Sequence, residues 1–120
     1  MASYDVLVVE DEWLIARDYL AVLRSAGHVA VGPAATAEKA LAFLDKEHVD
    51  IALLDFQLGA STSASIAVRL SQMGIPFILV TGHAGRVLPS EYTGGTVVAK
   101  PASPSKLIAL IEALASKNRG

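Results

Sequence analysis

Four short apolar runs in the chain each end on a residue able to do chemistry. VLVV runs into Glu10-Asp11, IALL into Asp55, FILV into Thr81, and TVVA into Lys100. If the runs are neighbouring strands, three carboxylates, a hydroxyl and an ammonium share one rim. Carboxylates brought that close repel one another, and their pKa values rise unless a cation neutralises them. A hard divalent cation with oxygen ligands, Mg²⁺ above all, is the natural occupant, and a backbone carbonyl just after Asp55, such as that of Gln57, would complete its shell. Taken singly, each residue has an ordinary role: the acids cap a helix, Asp55 opens a turn, Thr81 caps the next segment, and Lys100 is solvated. Their joint position at the same end of four runs is what favours a site.

The elements that must hold these residues alternate along the chain. Tyr4–Val9 reads as a first strand buried on both faces. Asp11 is the expected N-cap of a helix over Glu12–Ala26, whose apolar stripe includes Ile15, Tyr19, Val22 and Leu23, with Gly27 as its stop. His28–Gly32 is a second strand, and Thr36 caps a helix carrying Ala37, Ala40, Leu41 and Leu44. Asp50–Leu54 is the third strand. Gln57–Ser63 reads as a loop before a helix with Ile66, Leu70 and Met73 inward, stopped by Gly74. Pro76–Thr81 is the fourth strand and Thr96–Ala99 the fifth. Between them His83–Gly95, with Pro89 and three glycines, lacks a clean period and reads as a loosely packed short helix or a mobile loop. Ser103 caps the last helix with Pro104 at its first position, and Leu107, Ile108, Ile111, Leu114 and Ala115 form its stripe.

Strands alternating with helices imply a parallel sheet covered on both faces, with ligands beyond the strands' carboxyl ends. The 120 residues make one domain, 1–120, and a 52% hydrophobic, 18% charged composition excludes a disordered chain. The absence of cysteine excludes disulfides, thiolate metal sites and a catalytic thiol. A net charge of −2 argues against a nucleic-acid partner, and with neither a signal peptide nor an apolar run long enough to span a bilayer the expectation is a cytoplasmic chain without membrane association. His28 and His48 are expected to be structural or solvated. Trp13 is expected either near the site or in packing.

Glu10-Asp11, Asp55, Thr81 and Lys100-Pro101 resemble, in spacing and setting, the receiver domain of two-component response regulators. The resemblance covers essentially the whole chain. It implies the flavodoxin-like receiver fold, an α/β doubly wound five-stranded parallel sheet of order 2-1-3-4-5. It also implies that Asp55 is the phosphoacceptor, taking a phosphoryl group from a sensor histidine kinase. Glu10, Asp11, Asp55 and the Gln57 carbonyl would hold Mg²⁺, while Thr81 and Lys100 would bind phosphoryl oxygens. Gln57 and His83, each two residues beyond a site residue, would tune self-dephosphorylation. Phosphoryl transfer needs positioning and charge neutralisation more than covalent help, which these residue types supply.

Three positions depart from the family pattern, one being Ala102 in place of the aromatic that commonly follows Lys-Pro. Val97 stands where many receivers carry an aromatic three residues before the lysine, so the usual aromatic–threonine relay cannot operate. Gly82 follows Thr81 where alanine is frequent, which resembles a subgroup with a Phe-x-Thr-Gly-type motif that is often stand-alone. The expectation is therefore a single-domain regulator in which phosphorylation restructures His83–Gly95. It would signal by binding a downstream protein or phosphotransfer protein, or drain phosphate as a sink. The alternatives are a degenerate receiver that only binds protein, an aspartyl phosphohydrolase, and a nucleotide or flavin binder. The hydrolase needs a second acid where Gln57 stands, and the nucleotide binder needs a glycine loop where Glu10-Asp11-Glu12 stands.

Overall fold

The computed structural model describes residues 2–119. Five parallel strands form the main sheet: β1 (Asp5–Val9), β2 (Val29–Ala34), β3 (Ile51–Asp55), β6 (Phe77–Thr81) and β7 (Thr96–Ala99). Their order is β2-β1-β3-β6-β7, the 2-1-3-4-5 order of the five main-sheet strands. A two-stranded antiparallel hairpin, β4 (Gln57–Leu58) with β5 (Ser61–Thr62), lies between β3 and the next helix. The described residues also form four α-helices: α1 (Trp13–Ser25), α2 (Ala37–Lys46), α3 (Ala64–Met73) and α4 (Pro104–Arg119).

Alternation along each strand divides the core in two. Leu7, Val9, Ala52, Leu54 and Leu79 pack with α2 and α3 on one face. Val6, Val8, Ile51, Leu53, Ile78 and Val80 pack with α1 and α4 on the other. Continuous apolar runs are therefore what this sheet requires, since both faces are covered. Thr36 Oγ1 accepts the Lys39 N–H at 3.2 Å, and Ser103 Oγ accepts the Lys106 N–H at 3.3 Å, so both expected caps form.

β2 runs two residues further than the sequence suggests, through a bulge. Leu7 pairs with Val31 but Val9 with Ala34, which leaves one extra residue on β2. Gly32 makes this possible: its φ is +104°, and a Cβ there would meet Ala34 N at 2.9 Å and Val8 O at 3.1 Å. The bulge brings the Ala34 carbonyl to the Glu10 N–H at 3.0 Å and so fixes the first acidic residue of the rim.

Three expectations are corrected, the first being Met73, which is 47% exposed at the end of α3 and does not point inward. Gln57–Ser63 is a hairpin and not an irregular loop. Glu12, not Asp11, takes the N-cap position of α1, and it makes no side-chain cap bond. His83–Gly95 is, as expected, a loop with one short helix, the 3₁₀ turn Ser90–Tyr92, but its Tyr92 is buried in the core beside α3 and not loosely packed. Trp13 neither packs inward nor is covered, being 60% exposed at the head of α1. His28 is structural: Nδ1 accepts the Tyr4 N–H at 3.2 Å, which leaves Nε2 to donate to Glu112 at 2.8 Å.

Candidate functional site

The carboxyl ends of β1, β3, β6 and β7 converge on one rim. Asp55 closes β3, and its Oδ1 lies 2.8 Å from Lys100 Nζ. Lys100 follows β7, and its backbone N–H donates to the Thr81 carbonyl at 3.0 Å, closing the Thr81–Ala99 pair at the end of the β6–β7 ladder. Thr81 is buried beside the Asp55–Val80 pair, and its Oγ1 accepts the His83 N–H at 3.0 Å. The Thr81 O–H is a donor distinct from that bond.

Carboxylate oxygens of Glu10, Asp11 and Asp55 lie within 4.8 Å of one another. Glu10 is 3% exposed; its Oε1 accepts the Glu12 N–H at 3.1 Å, whereas Oε2 is buried with no hydrogen-bond partner among the described residues. Asp11 is exposed, and its Oδ2 accepts the Gly59 N–H at 2.8 Å, fastening the β4–β5 turn to the front of α1. The helix begins at Trp13, so Asp11 lies one residue before the N-cap position.

The electrostatics follow from this crowding. Burial pushes the Glu10 carboxyl up to about 7; the Glu12 N–H opposes that shift, and Asp55 reinforces it. Burial also raises Tyr19 to about 12, helped by the charges of Glu10 and Asp55. Tyr19 lines the same groove as Lys100, although its spacing assigns it only to the helix stripe. Burial pulls Lys100 down, but the hydrogen bond and charge of Asp55 overcome it and the net direction is up. A buried, unpartnered carboxylate oxygen within an all-oxygen donor set fits a hard divalent cation.

The two remaining residues stand differently. The Gln57 amide is turned onto its own hairpin, donating to the Gly59 and Ser61 carbonyls at 2.9 and 3.0 Å. His83 is exposed beside Thr81. A groove of about 510 Å³ opens next to Lys100 between α1 and α4, lined by Ile15, Tyr19, Val22, Pro101 and Leu107 among others. Among the described residues no helix is long and apolar enough to cross a membrane.

Comparison with known proteins agrees with this geometry. The response regulator receiver domain family matches residues 6–112. The chain is 32% identical over 111 residues to the phyllosphere-induced regulator PhyR of Methylorubrum extorquens, covering 89% of this chain and 42% of that protein. It spans less than half the length of the curated relatives it matches. The solution structure of the PhyR receiver domain from Erythrobacter litoralis superposes with a TM-score of 0.82 at 32% identity, over 95% of this chain and 91% of that one. The receiver domain of a Pseudomonas aeruginosa sensor histidine kinase, solved with a magnesium ion coordinated in its active-site cleft, shares the fold with a TM-score of 0.80 at 22% identity, over 96% and 99% of the two chains. With its fold, its rim of acids and this family match taken together, the chain belongs to the response regulator receiver domains.

Proposed function

We propose that the chain is a phosphoacceptor that takes a phosphoryl group onto Asp55 from the phosphohistidine of a sensor histidine kinase. The observation that carries this reading is the Asp55 carboxylate, held 2.8 Å from Lys100 with carboxylate oxygens of Glu10 and Asp11 within 4.8 Å. In the step itself an Asp55 oxygen forms the new bond to phosphorus as the phosphorus–nitrogen bond breaks, and the imidazole nitrogen leaves with that electron pair. Glu10, Asp11, Asp55 and the Gln57 carbonyl are the ligands in this reading for a divalent cation, Mg²⁺ by family analogy. When bound, that ion neutralises charge on the transferring oxygens. Lys100 pairs with one phosphoryl oxygen, and the Thr81 O–H donates to another.

The chain is read as a signalling domain and not as a phosphohydrolase, because Gln57 stands where that chemistry needs a general acid. Its output is a phosphorylation-dependent contact with a downstream protein or phosphotransfer protein, or removal of phosphate from a kinase, in the cytoplasm. Of the two candidates for tuning the phosphoryl lifetime, His83 is exposed beside Thr81, whereas the Gln57 amide must first leave its hairpin carbonyls. Intact mass after incubation with a small-molecule phosphodonor tests the reading. The expected result is one Mg²⁺-dependent phosphoryl adduct on the wild type and none on Asp55→Asn. A folded wild type that takes no adduct from the donor or from any kinase would leave only a protein-binding role.

A further inference from the structure

Behind the acidic rim lies a buried chain of hydroxyls that the phosphoryl step does not use. Tyr92 is 4% exposed, and its hydroxyl lies 3.0 Å from Oγ of the fully buried Ser63. The Ser63 N–H donates to the Phe56 carbonyl at 3.0 Å, and Ser63 Oγ makes a longer contact to the same carbonyl at 3.5 Å. With the Ser63 O–H directed at that carbonyl, its oxygen accepts from Tyr92, and the donors run one way from Tyr92 to Phe56. The Phe56 and Tyr92 rings also pack together, with centroids 5.4 Å apart and planes tilted by 41°.

Phe56 is the residue between Asp55 and Gln57. Holding its carbonyl fixes the peptide plane joining Phe56 to Gln57, because a planar peptide turns as one unit. Ser63 stands at the N-cap of α3 but makes no capping bond. A serine there ordinarily caps the helix, so its side chain has been diverted to Phe56 and Tyr92. Tyr92 enters from the segment after β6, the same segment whose His83 N–H is bonded to Thr81 Oγ1. That segment is thus fastened near its start to Thr81 and near its end to Ser63.

We propose that Tyr92 is a positioning residue for the Asp55–Gln57 turn, acting through Ser63, and that it thereby sets the rim's affinity for its cation. The proposal rests on the phosphoacceptor reading. It gives the chain a buried aromatic behind the phosphoacceptor, entering from a different element than β7, where Val97 stands.

The test is Mg²⁺ titration of the full chain, followed by amide chemical shifts, for wild type, Tyr92→Phe, Ser63→Ala and the double variant. Tyr92→Phe is expected to melt cooperatively and bind Mg²⁺ about threefold more weakly. Ser63→Ala should lose at least as much, and the double variant should be no weaker than Ser63→Ala alone, since both cut one chain. In the metal-free protein, the Ser63 amide of Tyr92→Phe should exchange faster with solvent. If Tyr92→Phe does not fold, the Mg²⁺ affinity of Ser63→Ala reads the same chain. A lower melting temperature with unchanged Mg²⁺ affinity would make Tyr92 a packing residue and overturn the proposal, as would additive losses in the double variant. A wild type whose Asp11 and Gly59 amides ignore Mg²⁺ would remove the phosphoacceptor reading and this proposal together.

Discussion

The two ends of the parallel sheet carry clusters of similar make-up that are finished in different ways. At the amino end, Asp5 opens β1 and Asp50 immediately precedes β3, with His48 between them. Its Nδ1 is 2.7 Å from Asp5 Oδ2 and its Nε2 is 3.5 Å from Asp50 Oδ1. The Asp5 N–H donates to Asp50 Oδ2 at 2.7 Å. At the carboxyl end, among the described residues, Lys100 pairs with Asp55 and not with Glu10 or Asp11, and Glu10 Oε2 is buried without a partner. Donor atoms lie within 4.8 Å in both triads, so proximity does not separate them. Satisfaction does. The amino-end carboxylates are closed by donors within their own cluster, whereas among the described residues the rim keeps one buried oxygen open, which bears its desolvation cost.

The sharpest way to break the comparison is to remove one buried carboxylate from each end. Asp55→Asn is expected to abolish phosphorylation and leave the fold intact by circular dichroism. Asp50→Asn should keep the phosphoryl adduct and lose about 1–3 kcal/mol in urea unfolding, because a carboxylate that accepts a backbone N–H is lost. An Asp50→Asn protein that folds normally but takes no phosphate would join the two ends functionally. Next in size is Lys100→Ala, expected to slow phosphorylation by about 100-fold in single-turnover measurements, the usual cost of removing one fixed electrostatic donor.

A pH series sharpens the contrast further. Glu10 titrates near 7 in the fold against 4.5 in an open chain. The unfolded state therefore gives up this proton first, so this contribution is fully present below 4.5 and lost as pH rises through about 7. Over that interval the metal-free protein should lose up to about 3 kcal/mol, measured by denaturant unfolding at each pH. Glu10→Gln should flatten the curve, as should saturating Mg²⁺. The smallest effect is expected from His48→Ala: its imidazole is largely exposed, and exposed ion pairs contribute below about 1 kcal/mol. Thermal melts and a Mg²⁺ titration of that variant should both stay close to wild type.

Much of this was legible in the sequence because a parallel sheet turns linear position into spatial position. A polar residue after an apolar run must lie at the strand's carboxyl end, so Glu10, Asp55, Thr81 and Lys100 could be assigned to one rim without coordinates. The caps at Thr36 and Ser103 and the stops at Gly27 and Gly74 were legible for a local reason: each acts within one turn of its helix. What escaped depends on contacts distant in sequence. Two-residue strands such as β4 and β5 have no periodicity to detect. Tyr92 meets Ser63 across 29 positions. Asp11 meets a glycine N–H that lies 48 residues away.

The exposure of Trp13 has a practical side. It is the chain's one tryptophan, it follows Glu10-Asp11-Glu12 directly, and it is 60% exposed in the folded state. Unfolding would change its surroundings little, so its emission is a poor thermometer of the fold. Since it follows those acids in the chain, its emission is expected to respond to a change of charge there, which a Mg²⁺ titration checks. The buried Tyr4 and Tyr92, by contrast, would report melting through near-ultraviolet circular dichroism. Occupancy of the rim and integrity of the core can thus be read in one cuvette at separate wavelengths, without attaching a label.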